Sequence, residues 1–468
     1  MQQSSFVCAT GLAALIASAG MALGQAAPVV VEVSVRQHSA LPARLSNAEV
    51  DHVLAEATKL LSDSDSASDT ACRVILRRVG NVTTFNESDI PFSISSRQDF
   101  ARVNAADTTI KVVGEINWCG QLGPSIIGCA SMPGPRMAVT RFSPRSMEPI
   151  LWAHEYAHTT GSPHRSAARQ LMRPSIASNM REVDGAECGR LVSVFSLDPL
   201  QALVADNSGP RLDAGPPMSV NDVGGAGGTE SGGADSVQAF VNQIFIEGVP
   251  FAEAAKFGEE AVPELAAMLE NPAMSATWSN AAATLGAIGA PEAEAELMRF
   301  LMMDPTAELD IPQYLAKANV PINLGWLVHQ GGSRTALETL IKATNADWWL
   351  NETAIDWKTP IHADREALVK QLVNKSIIGL TLTGTEEAQI RLDQLAGQLD
   401  EGAPQPILAP EEVSVLQRLG PSAESAIIAV SPDTRGAVRA IGGDEFLASQ
   451  VDELRLIREQ GLEDYYSR

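Results

Sequence analysis

The sequence predicts an α+β domain over residues 26–205, followed by an all-α, solenoid-like domain over residues 237–468. Three observations divide the chain this way. In the first part, β-branched runs alternate with stretches of helical spacing. Beyond residue 237, the periodic segments all have the 3.6-residue spacing of a helix. Between the two, residues 206–236 (DNSGPRLDAGPPMSVNDVGGAGGTESGGADS) are rich in Gly, Pro, Ser and Asp without any period, as expected of a flexible linker. A phosphate-binding loop is the other use of such glycines, but no GxxxxGK[ST] stretch is present.

The chain opens with an apolar, Ala/Gly-rich run followed by small residues. Residues 1–25 therefore read as a secretory signal peptide, cleaved between Gly24 and Ala27. No Lys or Arg precedes the run, and the alternative, an N-terminal membrane anchor, meets a run that is short for a span. No later stretch is long and apolar enough to cross a bilayer. A secreted or periplasmic location follows from this reading. Net charge is −23 and there is no basic cluster, which argues against nucleic acid or an anionic membrane surface as partner. Removal of the signal leaves Cys72, Cys119, Cys129 and Cys188. An even count in an exported chain suggests two disulfides, with three connectivities open. Cys119 and Cys129 close a short loop and form the favoured local pair, which would join Cys72 to Cys188.

Val29–Val35 (VVVEVSV) reads as a strand, and residues 47–61 as a helix. Val50, Val53, Leu54, Ala57 and Leu60 give that helix its apolar face, and Asn47 is its expected cap. Further strands are expected at Cys72–Val79 and Thr109–Ile116, with shorter ones at Ile126–Ala130 and Met137–Phe142. A helix spans about Met147 to Thr160, with Ser146 as cap and Pro149 tolerated in its first turn. Asp184 caps a last helix that runs to about Phe195.

On the helix after Ser146 stands HEYAHTTGSPH, His154 to His164. His154 and His158 are four residues apart, so both imidazoles leave one face, where they can share a Zn²⁺. Glu155 follows the first of them, where its carboxylate reaches a water on the metal rather than the metal itself. Gly161 can take positive φ and turn the chain back, so that His164 becomes a third ligand. Three protein ligands leave the fourth position for water, as in catalytic rather than structural zinc sites. The full pattern arises by chance in on the order of one chain in 10⁵. His38 and His52 lie far from it and are expected at the surface, while His329 and His362 are not expected to be ligands.

HEYAHTTGSPH resembles the zinc signature of the metzincin metallopeptidases. That family also has a methionine turn beneath the metal, which Met172 in LMRPSI fits; Met180 is a weaker competitor. The short spacing from His164 to Met172 is closer to the matrixin branch. The resemblance implies a twisted mixed sheet with an active-site helix. It implies that Pro174, Ser175 and Ile176 form one wall of the S1′ pocket, with Ile176 where matrixins carry tyrosine. It implies that Ile126–Ala130 is the sheet edge that pairs with an extended peptide substrate. Matrixins also bind Ca²⁺, but no D-x-[DN]-x-[DN]-G loop supports calcium here. With no cysteine-switch motif and little chain before the first strand, matrixin-type latency is not expected.

In the helical part, Val262–Leu269, Trp278–Ile288 and Glu292–Phe300 have helical spacing, with a turn over Leu285–Ala293. Echoes at Leu324-Gly325-Trp326-Leu327 and Ile378-Gly379-Leu380 suggest a period of about 40, similar to HEAT repeats. Trp348, Trp349 and Trp357 read as packing rather than as a binding patch. The expected activity is that of a secreted zinc endopeptidase acting on protein or peptide substrates. The alternative is an exported adhesion or scaffold protein whose helical repeats bind a protein partner and whose zinc site is structural or vestigial.

Overall fold

The computed structural model describes residues 28–63, 69–86, 89–193, 236–305, 307–362, 364–399 and 443–466. The expected signal peptide and nearly all of the expected linker lie outside these residues.

The first part is a mixed α/β region. Strands β1 (Val29–Val33) and β2 (Val35–His38) follow one another, with the break at Ser34, whose Oγ accepts the Thr109 N–H. Next come α1 (Asn47–Ser62), β3 (Val74–Arg78), β4 (Thr83–Phe85), β5 (Ser93–Ile94) and α2 (Arg97–Ala105). They are followed by β6 (Ile110–Val113), β7 (Glu115–Trp118), β8 (Leu122–Ile126), β9 (Gly128–Ala130) and β10 (Met137–Thr140). The region ends with α3 (Glu148–Thr159), β11 (Ser175–Ile176) and α4 (Gly185–Ser193). The main sheet has the order β4-β2-β6-β10-β9 and is parallel except for β9, which pairs antiparallel with β10 at the edge.

The two-residue side-chain period of the strands builds two cores. Val112 and Val139 point to the face covered by α1 and α3, with Leu54, Leu151 and Trp152. Val113 and Ala138 point to the other face, with Phe85, Ile94 and Val103. The sheet therefore presents α3, and the histidines on it, beside the β9 edge.

Several local expectations are corrected. The cap of α1 is Ser46, which closes a capping box with Glu49, while the Asn47 side chain accepts the Val82 N–H. Ser146 does not cap α3. It lies in a 3₁₀ turn over Arg145–Met147, and Glu148 in the first turn of α3 pairs instead with Arg141 and Arg145. His38 is buried, not at the surface, because β2 carries it between the rings of Phe85 and Phe92. The expected strand at 109–116 is broken at Gly114, where the Phe92 ring leaves no room for a Cβ. Cys119–Cys129 and Cys72–Cys188 are the disulfides, with Cα separations of 5.6 and 5.3 Å.

From residue 236 on, the regular elements among the described residues are helical, apart from the two residues of β12 (Ile244–Phe245). The helices are α5 (Val237–Val241), α6 (Phe251–Ala255), α7 (Val262–Glu270), α8 (Trp278–Ile288), α9 (Pro291–Met302) and α10 (Ile311–Ala318). Then come α11 (Val320–Gly331), α12 (Arg334–Ala343), α13 (Arg365–Leu382), α14 (Glu386–Leu399), α15 (Gly443–Gln460) and α16 (Leu462–Tyr465). The echoing glycines are points of close helix contact rather than turns. A Cβ on Gly286 would come within 2.4 Å of Asn323 O, and one on Gly325 within 2.1 Å of Gly379 O. Absence of a side chain there lets α8, α11 and α13 pack backbone against backbone. Trp349 and Trp357 are buried in the helical core, as packing predicts.

The helical region grips the β7–β8 hairpin. Glu115 of β7 and Lys375 of α13 form a buried ion pair. Trp118 Nε1 donates to Glu453 at 2.9 Å, and Leu122 N–H donates to Tyr465 Oη at 2.7 Å. Trp118 and Leu122 belong to the core of the helical region. No helix among the described residues is long and apolar enough to cross a membrane.

Candidate metal centre

Helix α3 is buried along its whole length, so its polar residues are held by the fold rather than by solvent. His154 and His158 leave it on one face. Gly161 has φ +85°, the left-handed conformation that favours glycine, and the chain reverses there to bring in His164. His158 Nε2 lies 2.9 Å from His154 Nε2 and 3.1 Å from His164 Nε2. Among the described residues, these three form a group of metal-ligating type whose donor atoms all lie within 4.8 Å of one another.

The chemistry of the donors calls for a cation. His154 Nδ1 contacts Leu171 O at 2.8 Å, and His158 Nδ1 contacts Ser162 O at 2.8 Å. A carbonyl oxygen only accepts, so both Nδ1 atoms carry the proton and both Nε2 atoms present lone pairs. Burial, and then the neighbouring His164, pull His154 down to about 3; burial and the other two imidazoles hold His158 well below its ordinary value. Two neutral Nε2 lone pairs facing each other at this distance repel unless a cation lies between them. Imidazole nitrogens at such separations suit a first-row divalent ion. The carbonyl contacts are the outer partners that fix the rings of metal-binding histidines.

Glu155 follows His154 on α3. It is buried, and its Oε1 has no hydrogen-bond partner among the described residues. Burial, and the carboxylate of Glu247, push its carboxyl well above the usual range. The carboxylate lies against Gly128 at the start of β9, where an added Cβ would come within 2.1 Å of Oε1.

The stretch below His154 is the turn at Leu171–Met172. Both residues are buried; Leu171 O receives His154, and Met172 O accepts the N–H of Arg165, next to His164, at 2.8 Å. Met180 is also buried, but its Sδ meets the Ala177 N–H instead. Pro174, Ser175 and Ile176 follow the turn and form an edge that includes β11. Ser162 is further steadied by Arg190, whose Nε donates to its Oγ at 3.2 Å. An open cleft of about 650 Å³ between α1 and the start of α3, lined in part by His52, Lys59 and Arg181, contains none of the three histidines.

The structure thus brings together His154, Glu155, His158, His164 and the Leu171–Met172 turn. It adds two residues that spacing did not reveal, Gly128 and Glu247. Glu247 follows β12, and its carboxylate approaches His164 Nε2 to 3.5 Å. No periodic signal marks either residue. The one usable hint was Gly128 inside the expected edge strand, since a strand-interior glycine often marks a close approach. Comparison of the chain with protein-family models, curated proteins and solved structures finds no match.

Proposed function

We propose that the protein is an exported zinc endopeptidase of the metzincin type, with His154, His158 and His164 as ligands and Glu155 as the proton carrier. The observation that carries this reading is the convergence of three imidazole Nε2 atoms, with the buried Glu155, unpartnered at Oε1 among the described residues, next to His154 in the chain. A structural zinc site is closed by four protein ligands and has no use for such a carboxylate. Support also comes from the two disulfides, which fit an oxidising compartment, and from the antiparallel edge strand beside α3. The HEAT-like reading of the helical region rests on the stacking of α8, α11 and α13 through the close contacts of Gly286 and Gly325.

A zinc ion held by the three histidines supplies Lewis acidity, which polarises the scissile carbonyl and makes a coordinated water more acidic. Glu155 Oε1 accepts the proton of the attacking water and returns it to the leaving amine. Its raised affinity for a proton lets it hold that proton between the two transfers. The backbone N–H groups of Ile127 and Gly128 face the position of an extended peptide, which makes binding tolerant of side-chain identity. Pro174, Ser175 and Ile176 would wall the pocket beyond the cut, and Met172 would shape the floor of the site without entering the chemistry.

Glu155→Gln tests the division of roles. It should lower turnover of an unfolded protein substrate by about 10²–10⁴-fold while metal content stays at the wild-type level. Loss of the metal together with activity would overturn the assignment of Glu155 as proton carrier.

A further inference from the structure

The groove beside the three histidines already contains a peptide strand, and it belongs to this chain. Ile244 and Phe245 pair antiparallel with Ile176 and Ser175. Ile246 N–H donates to Pro174 O at 2.9 Å, and Ile246 O accepts the Ile127 N–H at 2.8 Å and the Gly128 N–H at 3.4 Å. Glu247 continues the ladder by bridging antiparallel to Ile126. Ile244 and Phe245 therefore pair with the wall at Ser175–Ile176, Glu247 with the edge at Ile126, and Ile246 bonds to both sides. These are the backbone groups that an extended substrate would use.

The side chains fit this placement. Ile246 is fully buried in the core of the α/β region, with Met172 and Ile176. The carboxylate of Glu247 comes within 3.5 Å of His164 Nε2. Glu247 approaches from the His164 side, the more open side of the triad, where His164 keeps 27% of its side-chain surface exposed. The chain then leaves at once. Gly248 has φ +89°, and a Cβ there would come within 2.5 Å of Pro124 O, so only glycine allows this exit.

We propose that Ile244–Glu247 is a built-in pseudosubstrate: its backbone occupies the place of an extended substrate, and the Glu247 carboxylate stands beside His164 at the open edge of the histidine triad. This rests on the peptidase reading given above. It supplies a form of latency that needs neither a propeptide nor a cysteine. Activation then requires that the strand be withdrawn from between its two edges, and a peptide of extended conformation is what replaces it.

The test uses the full chain with Co²⁺ in place of zinc, together with Glu247→Ala and the shape-conserving Glu247→Gln. Circular dichroism confirms the fold of each variant. The visible d–d spectrum should shift in both variants relative to the wild type, and cleavage of unfolded casein should rise at least tenfold. Spectra identical across the three proteins, with unchanged cleavage, would overturn the proposal and leave the peptidase reading standing. A spectral shift with no cleavage by any protein would keep Glu247 beside the histidine triad and overturn the peptidase reading instead. Failure of the wild type to take up Co²⁺ would overturn both.

Discussion

The α/β region and the helical region both bury charged side chains, but they treat them differently. In the helical region each has a structural partner. Lys317 reaches the Phe300 carbonyl and the faces of Phe300 and Trp357, and Lys375 pairs with Glu115. Arg391 donates to Thr344 Oγ1 at 2.9 Å, and Glu453 accepts from Trp118 and Tyr465. In the α/β region, by contrast, three imidazoles converge on one another, and Glu155 Oε1, one residue along from His154, has no hydrogen-bond partner among the described residues. Buried polar groups that are satisfied specify packing; buried polar groups that converge unsatisfied await something from outside the chain. That contrast supports the three histidines as a candidate metal centre beyond what the residue types alone do.

The contrast can be broken at the Glu115–Lys375 pair. Burial opposes the charge on Glu115, but Lys375 and hydrogen bonds from Ser93 and Asn117 prevail and hold its carboxyl below the usual range. If this pair is a structural clamp, Lys375→Met leaves a buried carboxylate alone and costs about 3–5 kcal/mol in denaturant unfolding. Replacing both partners with apolar residues should recover most of that loss. A single variant as stable as the wild type would show that the pair does not hold the two regions together.

Lys111 on β6 sharpens the contrast, because its Nζ is buried without a hydrogen-bond partner among the described residues yet lies away from the metal centre. Burial, and then Arg136, pull its pKa from 10.5 down to about 7, with Asp107 opposing. Between those two pH values the unfolded chain holds a proton that the folded chain has released. Stability should therefore rise with pH across that window, by up to about 1.4 kcal/mol per unit. From pH 7 to pH 9 the gain is about 2–3 kcal/mol, and Lys111→Met should flatten it. An unchanged slope in that variant would assign the pH dependence elsewhere.

Smaller effects separate site from scaffold. Gly128→Ala drives a methyl group into the Glu155 carboxylate and Leu151, which should lower kcat with a stability loss of about 1–3 kcal/mol. Ser46→Ala removes one half of the α1 capping box and should cost about 1 kcal/mol, with kcat unchanged. Equal effects of the two on kcat would remove the distinction between Gly128 and an ordinary structural position.

Legibility followed distance along the chain. The three histidines, Glu155, Gly161 and Met172 fall within one short stretch, where helical period and glycine turn chemistry fix their relation. The apolar stripe of α1 was readable for the same reason. The break at Ser34 was not, because the β-branched run VVVEVSV continues through it. Strand β8 was hidden because Gly123 and Pro124 read as turn residues, although the hairpin is held by Tyr465 and Tyr466 from the far end of the chain. Gly128 and Glu247 reach the site only through strand pairing and docking between segments far apart in sequence, which no local spacing encodes. His38 misled because a lone histidine in a polar stretch resembles a surface residue until its two phenylalanine neighbours fold over it.

The most direct test is metal content by mass spectrometry on purified full-chain wild type and His158→Ala, paired with casein cleavage by both in the presence and absence of a chelator. The expected result is one zinc per wild-type chain, none in His158→Ala, and internal cleavage by the wild type that the chelator abolishes. Wild-type protein that folds with its disulfides formed but retains no divalent metal, or cleaves equally well with chelator present, would contradict the assignment of His154, His158 and His164 as a catalytic zinc centre.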